Sequence, residues 1–197
     1  MAVRETDILM YGATLPSISQ AILTARAGKT VSLVAAENVL GGMVTGGLGI
    51  SDAPLNSPSW YGVAKEIIDA CVAQTGYDGE PFLNWNFPAS VMSSVIADRL
   101  AAEANVTVYT GRSITEARRR FPGTDAGDYE DELDGRGNQD VSLTLPDGDE
   151  YRASVFNDAS YNAGLARFLR VPMDFGRDSR VRFNEEPAGV RVNRTPA

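Results

Sequence analysis

The chain has 197 residues, 43% of them hydrophobic and 22% charged, which is enough for one substantial core in a globular protein. Its net charge of −8 repels phosphate backbones and anionic lipid surfaces, so neither nucleic acid nor membrane is an expected partner. Histidine is absent and Cys71 is the single cysteine, which excludes Ser-His-Asp triads, internal disulfides and cysteine- or histidine-built metal centres; no metal site is expected.

The residues ahead of Asp7 lack the apolar stretch of a signal peptide, and no apolar run approaches membrane-spanning length, so the expected setting is cytoplasmic. Asp7-Ile-Leu-Met-Tyr11 is a continuous apolar run and predicts a strand covered on both faces. Gly12-Ala-Thr-Leu-Pro16-Ser17 reads as a turn, with Thr14 or Ser17 capping a helix over residues 18–27 and Gly28 stopping it. Residues 30–34, Thr-Val-Ser-Leu-Val, predict a second strand; the connection has crossover length, so the two strands should be parallel.

Residues 40–49 hold five glycines in ten positions. The interleaved Leu40, Met43, Val44 and Leu48 argue against a plain flexible linker, which would be polar. Main chain this bare lets a large flat or charged ligand lie against it. Ser57-Pro58 then reads as a helix start, and residues 59–75 carry Val63, Ile67 and Cys71 at helical spacing, closed by Gly76. On that apolar side Cys71 is expected to be a buried, inert thiol. A loop with Phe82, Trp85 and Phe87 leads past Pro88 into a helix predicted over 89–104, and residues 106–109 give a third parallel strand.

From Ile114 the pattern changes. Arg118, Arg119 and Arg120 form a basic run, and residues 124–150 then carry ten acids against one base, Arg136. The stretch over about 121–138 is expected to be a solvated acidic loop, since its acids lack the spacing of a calcium-binding loop. Val141 to Leu145, the Asp147-Gly148 turn and Tyr151 to Phe156 predict a hairpin arm over about 139–156. The expected architecture is therefore α/β: a parallel, Rossmann-like sheet with flanking helices over residues 1–170, then an irregular tail over 171–197.

The first turn departs from the dinucleotide fingerprint G-x-G-x-x-G, which calls for glycine at 12, 14 and 17. Gly12 is present for the tight turn, Thr14 narrows the approach to a pyrophosphate, and Ser17 is small enough for close helix–strand contact. The acid expected at the end of the second strand is replaced by Ala35; Glu37, two residues on, is the remaining candidate for a ribose diol or else a surface residue.

Three segments in order resemble a known family: Tyr11-Gly-Ala-Thr-Leu-Pro, Ala27-Gly-Lys-Thr-Val-Ser-Leu-Val34 and Leu40-Gly-Gly-Met-Val-Thr-Gly-Gly-Leu-Gly49. They are similar to the FAD-dependent oxidoreductases of the glutathione-reductase-like superfamily, in the xanthan-lyase-like branch, whose first turn itself often carries Thr at the second position. Trp85-Asn-Phe-Pro88, Asn105-Val-Thr-Val-Tyr-Thr-Gly111 and Tyr151-Arg-Ala-Ser-Val-Phe-Asn-Asp-Ala-Ser-Tyr161 continue the likeness, as do Gly176-Arg-Asp-Ser179 and Ala188-Gly-Val190.

The resemblance implies an oxidoreductase with FAD as cofactor and an unidentified small molecule as substrate. Gly12, Thr14, Pro16 and Ser17 would face the pyrophosphate, and Glu37 the ribose. Gly41, Gly42 and Met43 would lie along the pyrophosphate and ribityl chain, with Thr45, Gly46 and Gly47 nearer the ring. Ile114 would meet the adenine, and Asp158 and Ala159 would sit close to the dinucleotide. No catalytic residue is implied.

The family's Glu-Gly-Asp-Leu is Asn162-Ala163-Gly164-Leu165 here, and family members are much longer. The sequence therefore corresponds to their N-terminal portion. The exposed edge this leaves invites a partner or a second copy. Two other readings remain: a degenerate or truncated fragment that keeps the fold without holding flavin, and an NAD(P)-binding module, which has no need of the second glycine run.

Overall fold

The computed structural model describes residues 2–47, 50–54, 61–76, 84–120 and 140–173, with positions 181 and 184. In chain order the elements are β1 (Val3–Tyr11), α1 (Leu15–Arg26), β2 (Val31–Val34), a 3-10 turn (Gly42–Val44), β3 (Ile50–Pro54), α2 (Gly62–Thr75), β4 (Asn84–Asn86), α3 (Ala89–Ala101), β5 (Val106–Tyr109), β6 (Glu116–Arg120), β7 (Asp140–Thr144), β8 (Glu150–Asp158) and α4 (Gly164–Phe168). Six strands form one mixed sheet in the order β5-β2-β1-β8-β7-β6, and β3 and β4 pair separately. The β5, β2, β1 and β8 neighbours are parallel; β8, β7 and β6 run as an antiparallel meander.

The apolar runs of β1 and β2 suit the sheet's interior. Alternation along β1 sends Met10 into one cluster and Leu9 and Tyr11 into another, as the two-residue period of a strand requires. The first cluster packs α1, α2 and α3 on the parallel strands through Ile18, Ile22, Ile67, Met92 and Ile96, all buried. Each such side chain contributes about 1.5–3 kcal/mol on leaving water, so this helical face dominates the stability of the parallel half. The second cluster joins Leu9, Tyr11 and Val34 to Leu143, Leu145 and Tyr151 of the meander and to Ile114 and Leu165. Cys71 lies in the first cluster beside the Met92 sulfur, and burial pushes its thiol up to about 11. The expected burial of this thiol is borne out.

Several boundaries differ from the sequence-based expectation. β1 begins at Val3 rather than Asp7, because the polar Val3–Thr6 segment pairs with β8, Val3 opposite Glu150. α1 begins at Leu15, with Pro16 in its first turn and Ser17 inside the helix. Thr14 is the cap position, although its side chain makes no capping bond. α3 ends at Ala101, three residues before the predicted end at 104. The basic run is the β6 strand, its register set by β7. The predicted hairpin is present, but it is continuous with the core: β8 lies beside β1 in the middle of the sheet. The proposed Ser57-Pro58 start, Phe82 and residues 121–139 lie outside the described residues, as do residues 174–180 and 185–197 of the tail.

Candidate functional site

The strand order places the carboxyl ends of β2, β1 and β8 side by side. Three segments leave from those ends: 12–14 after β1, 35–46 after β2 and 159–163 after β8. Main-chain bonds stitch them together. Gly12 N–H donates to Val34 O at 2.8 Å, Ala159 N–H to Tyr11 O at 2.8 Å, and Gly41 N–H to Ala13 O at 2.8 Å. The result is a cleft of about 410 Å³, within the ordinary range of small-molecule sites. It sits outside the carboxyl ends of parallel strands, where open α/β sheets bind ligands.

The first glycine bend is sterically obligatory. Gly12 has φ +105°, and a Cβ there would lie 2.6 Å from the carbonyl carbon and oxygen of Ala159 and from the Ser160 nitrogen. Bare main chain at position 12 is what lets the segment after β8 close against the turn after β1. α1 opens directly from this bend, and its first amides have no side-chain cap from Thr14. The start of α1 brings the positive end of a helix dipole to this bend, which is suited to an anion, although Pro16 offers no N–H there.

The second glycine bend faces the same cleft. Gly42, Met43 and Gly46 line it opposite Gly12 and Thr14, and the exposed Glu37 completes one wall. The loop bearing Glu37 is anchored by main chain: Gly111 N–H donates to Glu37 O at 3.0 Å and Arg112 N–H to Ala35 O at 2.9 Å. Thr45 braces the turn from within, its hydroxyl donating to Leu40 O at 2.6 Å. Tyr11 lines the floor. Burial pushes its hydroxyl up from the ordinary value, a hydrogen bond with the Ile114 backbone opposes this, and the Glu37 and Asp158 charges add to the rise.

Of the residues singled out in the sequence, Gly12, Thr14, Glu37, Gly42, Met43 and Gly46 line the cleft. Gly41, Thr45 and Gly47 belong to the same turn without lining it, and Pro16 lies in the first turn of α1. Ser17 is buried, its hydroxyl directed at the Met10 sulfur 3.9 Å away. Ile114 is buried in the second core cluster beneath Tyr11. Asp158 braces the following loop: one carboxylate oxygen accepts from Ser160 N–H at 3.0 Å and its hydroxyl at 2.6 Å, the other from Ala166 N–H at 2.8 Å. Ala159 is the backbone against which Gly12 packs.

Sequence reasoning missed Tyr161. Its hydroxyl accepts a hydrogen bond from Met43 N–H at 2.8 Å, across the cleft. The signal was the position of Asp158-Ala-Ser-Tyr161 after an apolar strand, legible only once that strand is recognised as the parallel neighbour of β1.

A family described as FAD dependent oxidoreductase matches residues 7–195 of the sequence. The chain belongs to this family. No curated protein matches it significantly. Among solved structures, this chain is similar to p-nitrophenol 4-monooxygenase PnpA from Pseudomonas putida DLL-E4, with TM-score 0.57 and 14% identity over 91% of this chain and 47% of that one. THI4 from Thermovibrio ammonificans aligns with TM-score 0.52 and 14% identity, over 88% and 64% of the two chains. Glycine oxidase from Geobacillus kaustophilus aligns with TM-score 0.51 and 13% identity, over 86% and 59%. At these identities the likeness is one of fold. The chain spans 47% of the first structure's length. No helix among its described residues is long and apolar enough to cross a membrane, and no described group of acids and Cys71 is arranged to hold a metal.

Proposed function

We propose that this chain binds FAD in the cleft and serves as the flavin-binding portion of an oxidoreductase, with residues 1–170 as the binding unit. The observation that carries the reading is the convergence of two glycine bends, Gly12–Thr14 and Gly42–Gly46, on one cleft at the carboxyl ends of parallel strands. The residues fit the cofactor. The positive end of the α1 dipole beside Gly12 and Thr14 suits a pyrophosphate despite the chain's net acidity. The Glu37 carboxylate on the cleft wall is an acceptor for ribose hydroxyls. Main chain at Gly42 and Gly46 offers a surface free of side chains, and Met43 beside it is half exposed and apolar.

When bound, FAD supplies hydride and electron transfer; the protein supplies position and electrostatics. Gly12 and Thr14 would hold its phosphates beside the start of α1, and Tyr11 lines the cleft as a neutral phenol. A second reading, a chain that keeps the fold without holding flavin, has one observation in its favour: the Tyr161 hydroxyl already takes an amide of the cleft. A visible spectrum of the purified chain, followed by titration with FAD and with NAD(P)H, separates them. Flavin bands that co-purify, or saturable quenching of added FAD, are the expected result. A colourless chain indifferent to both ligands would leave family membership without cofactor binding.

A further inference from the structure

The Tyr161–Met43 bond joins segments 118 residues apart and spans the cleft from the β8 side to the β2 side. Its two partners are unequally held. Met43 N–H belongs to the 3-10 turn, which Thr45 and the Gly46 N–H to Gly42 O bond of 2.8 Å fix from within. Tyr161 is 64% exposed, so little packing holds its ring in place. The base of its segment is fixed by the Asp158 carboxylate, which holds both Ser160 and the Ala166 amide. Tyr161 can therefore leave Met43 by side-chain rotation, with the loop base unmoved.

The approach is also sterically tuned. A Cβ at Gly42 would stand 2.3 Å from the Tyr161 oxygen, so glycine at 42 admits the hydroxyl as well as any ligand. Both compete for one place: Gly42, Met43 and Tyr161 all line the cleft, and an amide donor offers its proton to one strong acceptor at a time.

We propose that Tyr161 is a side-chain latch: its hydroxyl occupies the Met43 amide in the ligand-free chain, and an acceptor oxygen of the entering dinucleotide displaces it. This rests on the FAD reading above. Its exposed position makes the latch a modest barrier. Loss of one net hydrogen bond corresponds to about a two- to tenfold change in an equilibrium constant.

The test uses the full chain and its Tyr161→Phe variant, which keeps the ring and removes the hydroxyl. FAD affinity is measured by flavin fluorescence, and exchange of the Met43 amide is followed by NMR in the ligand-free chains. The expected result is FAD binding about two- to tenfold tighter in Tyr161→Phe, with faster Met43 exchange. Binding by Tyr161→Phe alone would also support the latch. Equal or weaker FAD binding in the variant overturns the latch while leaving the flavin reading intact. If neither chain binds FAD, the flavin reading falls and the latch, which rests on it, falls with it; unchanged Met43 exchange in a variant that does bind FAD also removes the latch while leaving the flavin reading intact.

Discussion

Replacing Gly12 with alanine tests the joint on which the cleft is built. Two costs can be separated. A non-glycine residue at φ +105° pays about 1–2 kcal/mol for backbone conformation. The new methyl would also stand 2.6 Å from Ala159 and Ser160 main-chain atoms, so the 159–163 segment must move away. That movement stretches the bonds Gly12 N–H to Val34 O and Ala159 N–H to Tyr11 O, each worth about 0.5–1.5 kcal/mol net. The sum is about 2–5 kcal/mol, a large share of the ~5–15 kcal/mol that holds a domain folded. Gly28→Ala is the control. Its φ is +82°, yet nothing lies within 4 Å of the added Cβ, so only the conformational cost of about 1–2 kcal/mol applies. Urea titrations of both variants give the comparison through the midpoint at constant slope. If Gly12→Ala is no less stable than Gly28→Ala, the close approach of the β8 segment to the first turn is not what the structure depends on.

Further predictions concern the same loop and the chain's acid response. Ala163 sits at φ 53°, ψ 44°, where a Cβ is unfavourable; Ala163→Gly should stabilise the chain by ~0.5–1 kcal/mol after the added freedom of the unfolded chain, raising Tm by about 1–4 °C in calorimetry. Asp158→Ala removes the acceptor for two amides and a hydroxyl and should cost about 2–3 kcal/mol in urea, with weakened FAD binding; an unchanged midpoint would deny it the bracing role. The Asp149 carboxyl lies below its ordinary value, held first by Ala2 N–H and then by Arg4, and Asp7 is lowered by Thr30. Depressed carboxyls favour folding above the unfolded value of about 3.9 and lose that contribution as pH falls through the folded one. Tm should therefore drop below about pH 4, and less steeply in Asp149→Asn. Cys71 should resist thiol reagents in the folded chain and react at once in denaturant, since burial keeps it protonated.

The sequence made the parallel half readable because its signals are local. Apolar runs at β1 and β2, the helical spacing of Ile67 and Cys71, and the stop at Gly76, whose N–H returns to Val72 O at 2.9 Å, each follow from nearby residues. What stayed hidden was set by partners far along the chain. Val3–Thr6 carries no strand pattern and is extended because β8 pairs with it. Glu116–Arg120 reads as a charge run and becomes a strand on the edge of β7. The glycine bends of the candidate site were legible because special backbone needs special residues. Tyr161 was not, since its place in the cleft depends on β8 standing beside β1.

That adjacency has a consequence for how the chain comes into being. Ala2 and Asp149, bonded at 2.7 Å, are separated by 147 positions. At ribosomal speeds of about 5–20 residues per second, β1 emerges roughly 7–30 s before the strand that closes its second edge. Within that interval β2, and only late in it β5, can join β1 with their helices, while the other edge of β1 offers an open row of peptide groups to any passing strand. Nascent-chain chaperones and slow late closure, rather than collapse of the helical layer, should govern its yield.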